Sequence, residues 1–546
     1  MRDHLPKIII VLLMVVIVGL PVLLRPGKGE GASLASSTEP DAPRLVIFTP
    51  HNEQIRFELG QAYNRWRIAQ GRPAVKFDWR SPGGTSDIRK SILSQYQAMI
   101  DRGADLDEGI GADLFFGGGE YDHGKIAGGI DATNEEGVET TYRIIDDPLI
   151  DAALFDAAFP EPRIGGERLY RRYTFVEDGQ DVEVLGWTGV TLSSFGIVYN
   201  RDVLNSIGAE EPTTWSDLAT PEYLGWVALA DPGHSGSIAS TFNTLVKRQG
   251  WTQGWATLRR TFANARYFTT SSSTVPNDVA RGDAAAGMCI DFYARYQAGI
   301  IGGERMGYAD PIEDGKSTTA TTADPITLLR GAPEPELSRE FIAWLLGPDA
   351  QGIWQRAIEP AQDSGGAVDG LVRPTQYELR RKPIRSDMYH DAERAAWVDR
   401  DIDPFPTAVP FPDGTPDYFG AIAPITQAMA IDIHDDLTTA WEALIRASDP
   451  GHAQHGRYDE MAALFDAMPE ELTLTWPDAE LTEQWHAIQL DPGHPRYSEV
   501  IDTLNAFDAE LGELLDNKHL IEAKRITWRA FFQDNYQEVV RLERGG

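Results

Sequence analysis

The sequence predicts an α/β protein in which parallel strands are covered by helices, and three features of its first third indicate this. Short apolar runs at 45–48, 75–79 and 113–116 have the length and residue types of strands. The two intervals between them carry apolar residues at helical spacing, at 55–66 and 88–100. Because a strand–helix–strand unit places its strands side by side in parallel, these elements predict one sheet with helices on its faces.

A second series of strands and helices follows in the middle of the chain. Apolar runs at 195–199, 227–230, 265–268, 284–290 and 326–329 are each followed by polar or glycine-containing turns. Segments with helical periodicity separate most of these runs. The chain is therefore expected to contain two α/β units.

Length, charge and cysteine content narrow the class of protein further. A chain of 546 residues is too long for one ordinary core and predicts two to four domains. The net charge of -34 argues against binding to nucleic acid or to an anionic membrane surface. Cys289 is the only cysteine, which excludes an intrachain disulfide and a zinc site built on two cysteines.

The N-terminus carries a targeting or anchoring signal. Arg2 and Lys7 precede Ile8 to Leu24, an uncharged apolar run, and a Ser-, Gly- and Pro-rich stretch at 29–43 predicts a tether. The run fits either a cleaved signal peptide or a retained membrane anchor. Both interpretations place the rest of the chain outside the cytoplasm.

Small polar residues follow the carboxyl ends of the predicted strands, at 49–52, 83–85 and 117–119 in the first series and at 235–237 and 271–273 in the second. Ligands of open α/β sheets bind beyond these strand ends, and helix N-termini attract anions. The serines at 235 and 237 therefore have two interpretations, as caps of their own helix or as ligand contacts.

Several motifs of catalysis and metal binding are absent or incomplete. The sequence contains no Gly-x-Gly-x-x-Gly, Walker or Gly-x-Ser-x-Gly pattern, so no nucleotide cofactor and no hydrolase elbow are expected. His452 and His455 lack the glutamate of zinc proteases. Asp399, Asp401 and Asp403 have calcium-loop spacing, but Pro404 occupies the glycine position of that loop. No catalytic residue, metal site or cofactor is predicted.

Five segments together resemble extracellular solute-binding proteins of ABC importers, in particular the iron(III), thiamine and phosphosugar-type binders with the type 2 periplasmic fold. The segments are Phe195–Asn200, Pro212–Leu218, Ala230–Ser237, Gly282–Met288 and Phe341–Gln351. Their order and spacing carry the resemblance, which covers about residues 45–357. It implies two α/β lobes that close over a ligand, with crossings near 193–200 and 323–329.

The resemblance also implies how the chain is divided. The expected parts are a signal peptide or anchor with its tether (1–43), the first part of lobe 1 (44–192), lobe 2 with the hinge crossings (193–325), a return to lobe 1 (326–373), and a proline-rich linker with a mainly helical C-terminal extension (374–546). The apolar face of the last helices is expected to pack on the protein itself rather than on a partner.

Candidate ligand-binding residues come from the polar corners and from the resemblance. They are Thr49, His51, Asn52, Gly84, Thr85, Ser193, Ser194, Ser235, Gly236, Ser237, Ser272, Ser273, Asp291, Tyr293 and Asp324. Iron(III) binders of this kind often use a tyrosine pair, and Phe292 replaces one tyrosine here, which weakens an iron interpretation. The ligand is expected to be small and polar, either an anion or a metal–anion complex.

The expected function is a non-enzymatic extracytoplasmic receptor that delivers its ligand to the permease of an ABC importer. Contact with a membrane is expected only through residues 8–24, if that segment is retained. A membrane-tethered sensory or scaffolding protein that binds a partner through its C-terminal helices is the alternative from another class. An acidic extracytoplasmic hydrolase is a third.

Overall fold

A computed structural model describes residues 42–133, 137–177, 179–313, 316–358, 371–412 and 414–546. The expected signal peptide or anchor lies outside these residues. Within the described ranges, every helix is too short or too polar to cross a membrane.

Nineteen strands form the sheets of the described chain. They are β1 (Arg44–Phe48), β2 (Lys76–Arg80), β3 (Leu114–Phe116), β4 (Ile130–Thr133), β5 (Glu139–Tyr142), β6 (Ile145–Asp146), β7 (Arg163–Ile164), β8 (Glu167–Arg168), β9 (Tyr170–Glu177), β10 (Gln180–Ser193), β11 (Phe195–Asn200), β12 (Val227–Ala230), β13 (Ala265–Thr269), β14 (Ala286–Ile290), β15 (Met306–Ala309), β16 (Ile312–Glu313), β17 (Lys316–Ser317), β18 (Thr322–Leu329) and β19 (Lys382–Pro383).

Nineteen α-helices accompany these strands in the same part of the chain. They are α1 (Glu53–Ala69), α2 (Thr85–Asp101), α3 (Glu120–Ala127), α4 (Ala152–Ala158), α5 (Arg201–Ile207), α6 (Gly236–Gln249), α7 (Trp251–Ala263), α8 (Val275–Arg281), α9 (Asp291–Ile301), α10 (Pro335–Leu346), α11 (Pro348–Ile353), α12 (Asp391–Arg394), α13 (Pro404–Thr407), α14 (Phe419–Thr426), α15 (His434–Ser448), α16 (Tyr458–Asp466), α17 (Ala479–Gln489), α18 (Tyr497–Asp516) and α19 (Lys518–Glu543). A π-helix at Gln427–Ile431 continues α14.

Lobe 1 is built on a sheet with the strand order β19-β10-β18-β3-β1-β2. Strand β1 pairs in parallel with β2 and β3, as the strand–helix–strand pattern predicts. Strands β10 and β18 are antiparallel neighbours, and β18 is also antiparallel to β3. The sheet is therefore mixed, because the chain leaves lobe 1 and returns to it in the opposite direction.

Lobe 2 contains a five-stranded sheet with the order β13-β12-β14-β11-β15. Strands β12, β13 and β14 are parallel, whereas β11 is antiparallel to both β14 and β15. All residues of β11, β12 and β14 are buried, which explains why these strands appear in the sequence as continuous apolar runs.

Two crossings connect the lobes. Strand β10 ends in the lobe 1 sheet at Ser193, and β11 begins in the lobe 2 sheet at Phe195. The return runs into β18, whose residues Thr322 to Ile326 pair with β10. These crossings make the boundary between the lobes a hinge candidate.

The segment beyond residue 373 packs against both lobes. Strand β19 adds to the lobe 1 sheet beside β10. In lobe 2, Trp441 of α15 donates its indole N–H to Asn264 Oδ1 at 2.8 Å, and Trp251 packs against Phe507 of α18 with ring centroids 5.0 Å apart. The apolar side of α18 is buried on the protein itself, as expected. The two-lobe α/β fold with a mainly helical C-terminal extension is therefore confirmed.

Two long stretches of apolar residues at helical spacing, 336–356 and 498–543, are each divided into two helices. The helical pattern of 336–356 contains a break between α10 and α11, because Pro348 has no N–H to donate and begins a new helix after Gly347. The pattern of 498–543 breaks at Asn517, whose side chain accepts the N–H of Leu520 at 3.0 Å and caps α19. Apolar periodicity continues across both breaks, which is why it did not reveal them.

Candidate functional site

A cavity of about 560 Å³ lies between the two lobes, and we call it the cleft cavity. Ten of the fifteen candidate ligand-binding residues line it: His51, Asn52, Gly84, Thr85, Ser235, Ser237, Ser272, Ser273, Tyr293 and Asp324. Lobe 1 supplies the corners after β1 and β2, and lobe 2 supplies the corners after β12 and β13. The carboxyl ends of parallel strands from both lobes thus face one space.

Two helices of opposite lobes begin at the cleft cavity without a side-chain cap. Helix α2 of lobe 1 begins after Gly84, and helix α6 of lobe 2 begins after Ser235, and neither residue makes a side-chain capping bond. The Ser235 hydroxyl instead donates to Ser272 Oγ at 3.0 Å. The first amides of both helices therefore keep their capacity to donate to an anion.

Asn52 has the ordinary capping role instead. Its side-chain oxygen accepts the N–H of Ile55 at 3.1 Å and so satisfies the first turn of α1. Helix capping therefore explains its position at the cavity wall. The N-terminus of α1 has fewer free amide donors for a ligand than the N-termini of α2 and α6.

The lobes touch beside the cleft cavity, and glycines make this contact possible. A Cβ on Gly84 would lie 1.9 Å from the carbonyl oxygen of His234 in the other lobe. A Cβ on Gly236 would lie 2.9 Å from Asp122 Oδ2 and 3.3 Å from the Cβ of Thr85. Gly236 is thus an interlobe packing position and does not line the cavity.

A buried polar network forms the floor of the cleft cavity at the hinge. His51 Nε2 lies 2.8 Å from Asp324 Oδ2, and Arg381 forms an ion pair with the same carboxylate. Arg381 also donates to Ser193 Oγ at 2.9 Å and stacks over the ring of Phe292 at 4.1 Å. Each charged or polar group in this network is almost fully buried, so their mutual contacts replace water.

Burial and pairing set the charge states of this network. Burial lowers the pKa of His51 more than Asp324 raises it, so the imidazole is neutral near pH 7. Burial would raise the pKa of Asp324, but the charge of Arg381 and the hydrogen bonds from Arg381 and His51 outweigh it and hold that pKa below its usual range. Asp324 is therefore a carboxylate matched by Arg381, and the two charges cancel.

The remaining candidates lie just behind the cavity wall. Thr49 accepts the backbone N–H of His51 at 3.1 Å. Ser194 and Asp291 both contact the ammonium group of Lys382, at 2.5 and 2.8 Å. These residues are buried parts of the hinge, and in this arrangement they position the cavity wall rather than line it.

Two arginines that the sequence analysis missed line the cleft cavity. Arg381 lies beyond the region of resemblance, and only the run Arg380-Arg381-Lys382, unusual in so acidic a chain, could have indicated it. Arg56 is half-buried on α1, donates to the Asn52 carbonyl at 3.3 Å, and forms no ion pair with the described residues. Arg56 is therefore a cation whose charge remains available to a ligand.

Tyr293 also lines the cavity, but it is poorly prepared to bind a metal. Burial raises the pKa of its phenol to about 12. Without a bound metal, the phenol of Tyr293 is therefore protonated at neutral pH. Within the described residues, no group of three or more His, Cys, Asp and Glu side chains could hold a metal ion. The donors in place (amides, hydroxyls and a guanidinium) suit the oxygens of an anion.

Comparisons with known proteins identify the class of this part of the chain. Residues 180–378 match the family described as bacterial extracellular solute-binding protein. The match confirms the resemblance noted in the sequence for these residues. The family consists of binding proteins rather than enzymes, and its description places such domains outside the cytoplasm.

Particular relatives are distant. The chain is 27% identical to the phosphoglycerate transport regulatory protein PgtC of Salmonella typhimurium over 164 residues, which are 30% of this chain and 39% of the relative. It is 25% identical to an uncharacterized protein of Haemophilus influenzae over 171 residues, 31% of this chain and 48% of the relative. The chain thus spans less than half the length of either relative.

A solved structure with partial similarity is that of the periplasmic binding protein AfuA from Actinobacillus pleuropneumoniae, determined with exogenous fructose-6-phosphate bound. The sequences are 15% identical, the TM-score is 0.48, and the alignment covers 73% of this chain and 97% of AfuA.

Proposed function

We propose that the protein is an extracytoplasmic solute-binding receptor that binds a small anion in the cleft cavity and delivers it to the permease of an ABC importer. One observation carries the proposal: the uncapped N-termini of α2 and α6, from opposite lobes, open into one cavity beside the unpaired guanidinium of Arg56. Only a ligand held between the lobes can use both helix ends, which couples binding to lobe closure.

We further propose that the ligand is a small phosphorylated acid. PgtC is named for phosphoglycerate transport, and the donors of the cleft cavity fit this chemistry. Phosphate oxygens accept several hydrogen bonds at once, which the helix amides and the hydroxyls of Ser237, Ser272 and Ser273 can donate. A carboxylate at the other end of the ligand would pair with Arg56.

Calorimetric titration of the full chain with 3-phosphoglycerate tests this proposal. We expect the double variant Ser235→Ala/Ser237→Ala to bind at least about tenfold more weakly, equivalent to about 1.4 kcal/mol. Its melting temperature without ligand should change little, because Ser235 does not cap α6.

Ser206→Ala is the matched control. Its hydroxyl is exposed in lobe 2 and donates only to the carbonyl of Val203 in its own helix, at 2.7 Å. The control should bind as the unmodified protein does.

The serines are only structural if the double variant loses about 1 kcal/mol of stability with unchanged affinity. A ligand at a hundredfold excess over Kd should add about 2.7 kcal/mol of stability, so a chain that no phosphorylated acid stabilises contradicts the proposal.

A sensory receptor is the second candidate function. The name of PgtC includes a regulatory role, and the segment beyond residue 373 supplies Arg381 to the floor of the cleft cavity. Ligand binding could therefore be transmitted to the C-terminal helices. Capture of a partner by the full chain only when 3-phosphoglycerate is present would favour this function over delivery to a permease.

We also propose that residues 8–24 direct the chain across the membrane and leave the receptor outside the cytoplasm. N-terminal sequencing of the mature protein distinguishes a cleaved signal peptide from a retained anchor. A mature chain that begins near residues 32–36 is cleaved, whereas one that begins at Met1 and sediments with membranes is anchored.

A further inference from the structure

A second and larger cavity lies between the lobes and the C-terminal segment. It has a volume of about 970 Å³, and we call it the basic cavity. Lobe 1 supplies α3, β8 and β9, lobe 2 supplies α6, and residues of 410–412 and 414–419 close the remaining side. The volume is at the upper end of the range for small-molecule sites.

The basic cavity is separate from the cleft cavity. Among the described residues, none lines both. Helix α6 passes from one to the other: its first turn faces the cleft cavity, and Asn243, Thr244 and Lys247 further along face the basic cavity. The interlobe contact of Gly236 with Thr85 and Asp122 lies at this first turn.

Positive charge collects in the basic cavity although the chain carries a net charge of -34. Five cationic side chains line it: Lys125, Arg163, Arg168, Arg171 and Lys247. Of these, Arg168 pairs with Glu120 at 3.0 Å. The other four form no ion pair with a carboxylate of the described residues within 4.0 Å. Lys247 lies over the ring of Phe411 and Arg171 over that of Tyr173, at 4.0 and 4.8 Å.

Three carboxylates share the cavity wall with these cations, those of Glu120, Glu167 and Asp417. Glu120 is already paired with Arg168. Asp417 accepts the side-chain N–H of Asn243 at 2.7 Å. Burial raises the pKa of Glu167, and the nearby charge of Lys247 opposes this. Cations therefore outnumber carboxylates five to three on the cavity wall.

A buried acceptor without a partner also lines this cavity. The side-chain oxygen of Asn243 receives no hydrogen bond from the described residues, and only 8% of the residue is exposed. A buried amide oxygen without a donor is costly.

We propose that the basic cavity is a second binding site, for a small polyanion with at least two negative charges, such as pyrophosphate or citrate. The four unpaired cations supply the attraction, and the aromatic rings of Tyr121 and Phe411 limit the space around it. Because the walls come from both lobes and from the C-terminal segment, an occupant ties these three parts together. The polyanion thus stabilises the arrangement in which the lobes are in contact.

Neighbouring arginines on β9 provide a matched pair of variants. Arg171 lines the basic cavity, whereas Arg172 does not and instead contacts Glu183 at 3.5 Å near the surface. Successive residues of a strand project to opposite faces, so the two substitutions remove the same charge on opposite sides of the sheet.

Isothermal titration of the full chain with pyrophosphate tests the proposal. We expect Arg171→Gln to weaken binding at least about tenfold and Lys125→Gln/Arg171→Gln to abolish it, while Arg172→Gln binds as the unmodified protein. The binding constant should fall steeply between 50 and 200 mM salt. Thermal unfolding without ligand identifies any variant that has lost its fold. If Arg171→Gln does not fold, Lys125→Gln alone replaces it, and this variant should also bind pyrophosphate more weakly.

The cleft variant Ser235→Ala/Ser237→Ala separates this proposal from the proposed function. It should retain pyrophosphate binding at the basic cavity even when it no longer binds 3-phosphoglycerate. Pyrophosphate binding that is lost in the cleft variant but kept in Arg171→Gln overturns the second site. Equal effects of Arg171→Gln and Arg172→Gln, or no binding of pyrophosphate and citrate at all, overturn it as well.

Discussion

The hinge and the C-terminal helices each contain an arginine that forms ion pairs, with one carboxylate at the hinge and with three in the helices. At the hinge, Arg381 is 1% exposed and pairs with the 4% exposed carboxylate of Asp324. Near the end of the chain, Arg496 contacts three carboxylates, those of Asp478, Glu480 and Glu499, at 2.6 to 2.9 Å. By number of ion pairs the second site is the richer one.

Burial reverses that order in energetic terms. Exposed pairs are screened by water and salt and are often worth almost nothing, however many a site has. A buried pair costs several kcal/mol to break because its remaining charge is left without solvent. The comparison therefore indicates that the hinge depends on a few buried contacts, while the charges of the C-terminal helices mainly keep the surface soluble.

The largest effect is expected from Asp324→Asn at the hinge. This substitution leaves Arg381 charged and buried without a counterion, and we expect a loss of about 3 to 5 kcal/mol in the free energy of unfolding. Urea denaturation followed by tryptophan fluorescence measures it. Asp202→Asn, which removes an exposed ion pair with Arg305 at 2.9 Å, is the control and should cost less than about 1 kcal/mol. A similar small loss in both variants would contradict the comparison.

Acidification should destabilise lobe 1 next to the hinge. His123 is fully buried, and its Nδ1 forms a hydrogen bond with Thr327 Oγ1 at 2.8 Å. Burial lowers the pKa of its imidazole to about 4. Because the unfolded chain takes up this proton near pH 6.5, the stability provided by the neutral imidazole is present above that pH. It is lost as the pH falls toward 4, by about 3 kcal/mol in total.

His123→Gln isolates this contribution. The difference in unfolding free energy between the unmodified protein and the variant should shrink as the pH is lowered from 7.5 to 4.5. A difference that stays constant over this range would show that His123 does not titrate on unfolding.

A smaller effect is expected where the C-terminal segment is attached to lobe 1. The buried carboxylate of Glu58 accepts the backbone N–H groups of Thr375, Gln376 and Tyr377 at 2.6 to 2.8 Å. Glu58→Gln replaces one acceptor oxygen by a donor, and we expect a loss of about 2 kcal/mol. Hydrogen exchange at the Gln376 and Tyr377 amides should accelerate. Glu53→Gln, exposed on the same helix, should leave these amides protected.

The smallest effect is expected from Arg496→Gln. All four charges of this cluster are well hydrated, so the melting temperature should not change measurably despite the loss of three ion pairs. A decrease in melting temperature as large as that of Asp324→Asn would show that the stability of the C-terminal helices depends on this cluster. That result would contradict the proposed difference between the two regions.

The sequence predicted those parts of the site that local patterns encode. The strands ending at Phe48 and Ala230 and the corners that follow them were evident because apolar periodicity and turn residues are properties of neighbouring residues. The capping interpretation of Ser235 could not be tested locally, because its partner Ser272 lies on another strand end.

Tertiary structure alone determined the charges of the hinge and the second cavity. His51 and Arg381 are 330 residues apart, yet their side-chain nitrogens lie 3.0 Å from each other. Likewise, Lys125, Arg171 and Lys247 come from three separate elements, and no spacing in the sequence connects them. Periodicity specifies which face of an element is buried, whereas packing of whole elements determines which distant charges meet. The sequence by itself therefore determined a two-lobe α/β protein with polar corners, and only the folded chain determined how its buried charges are matched.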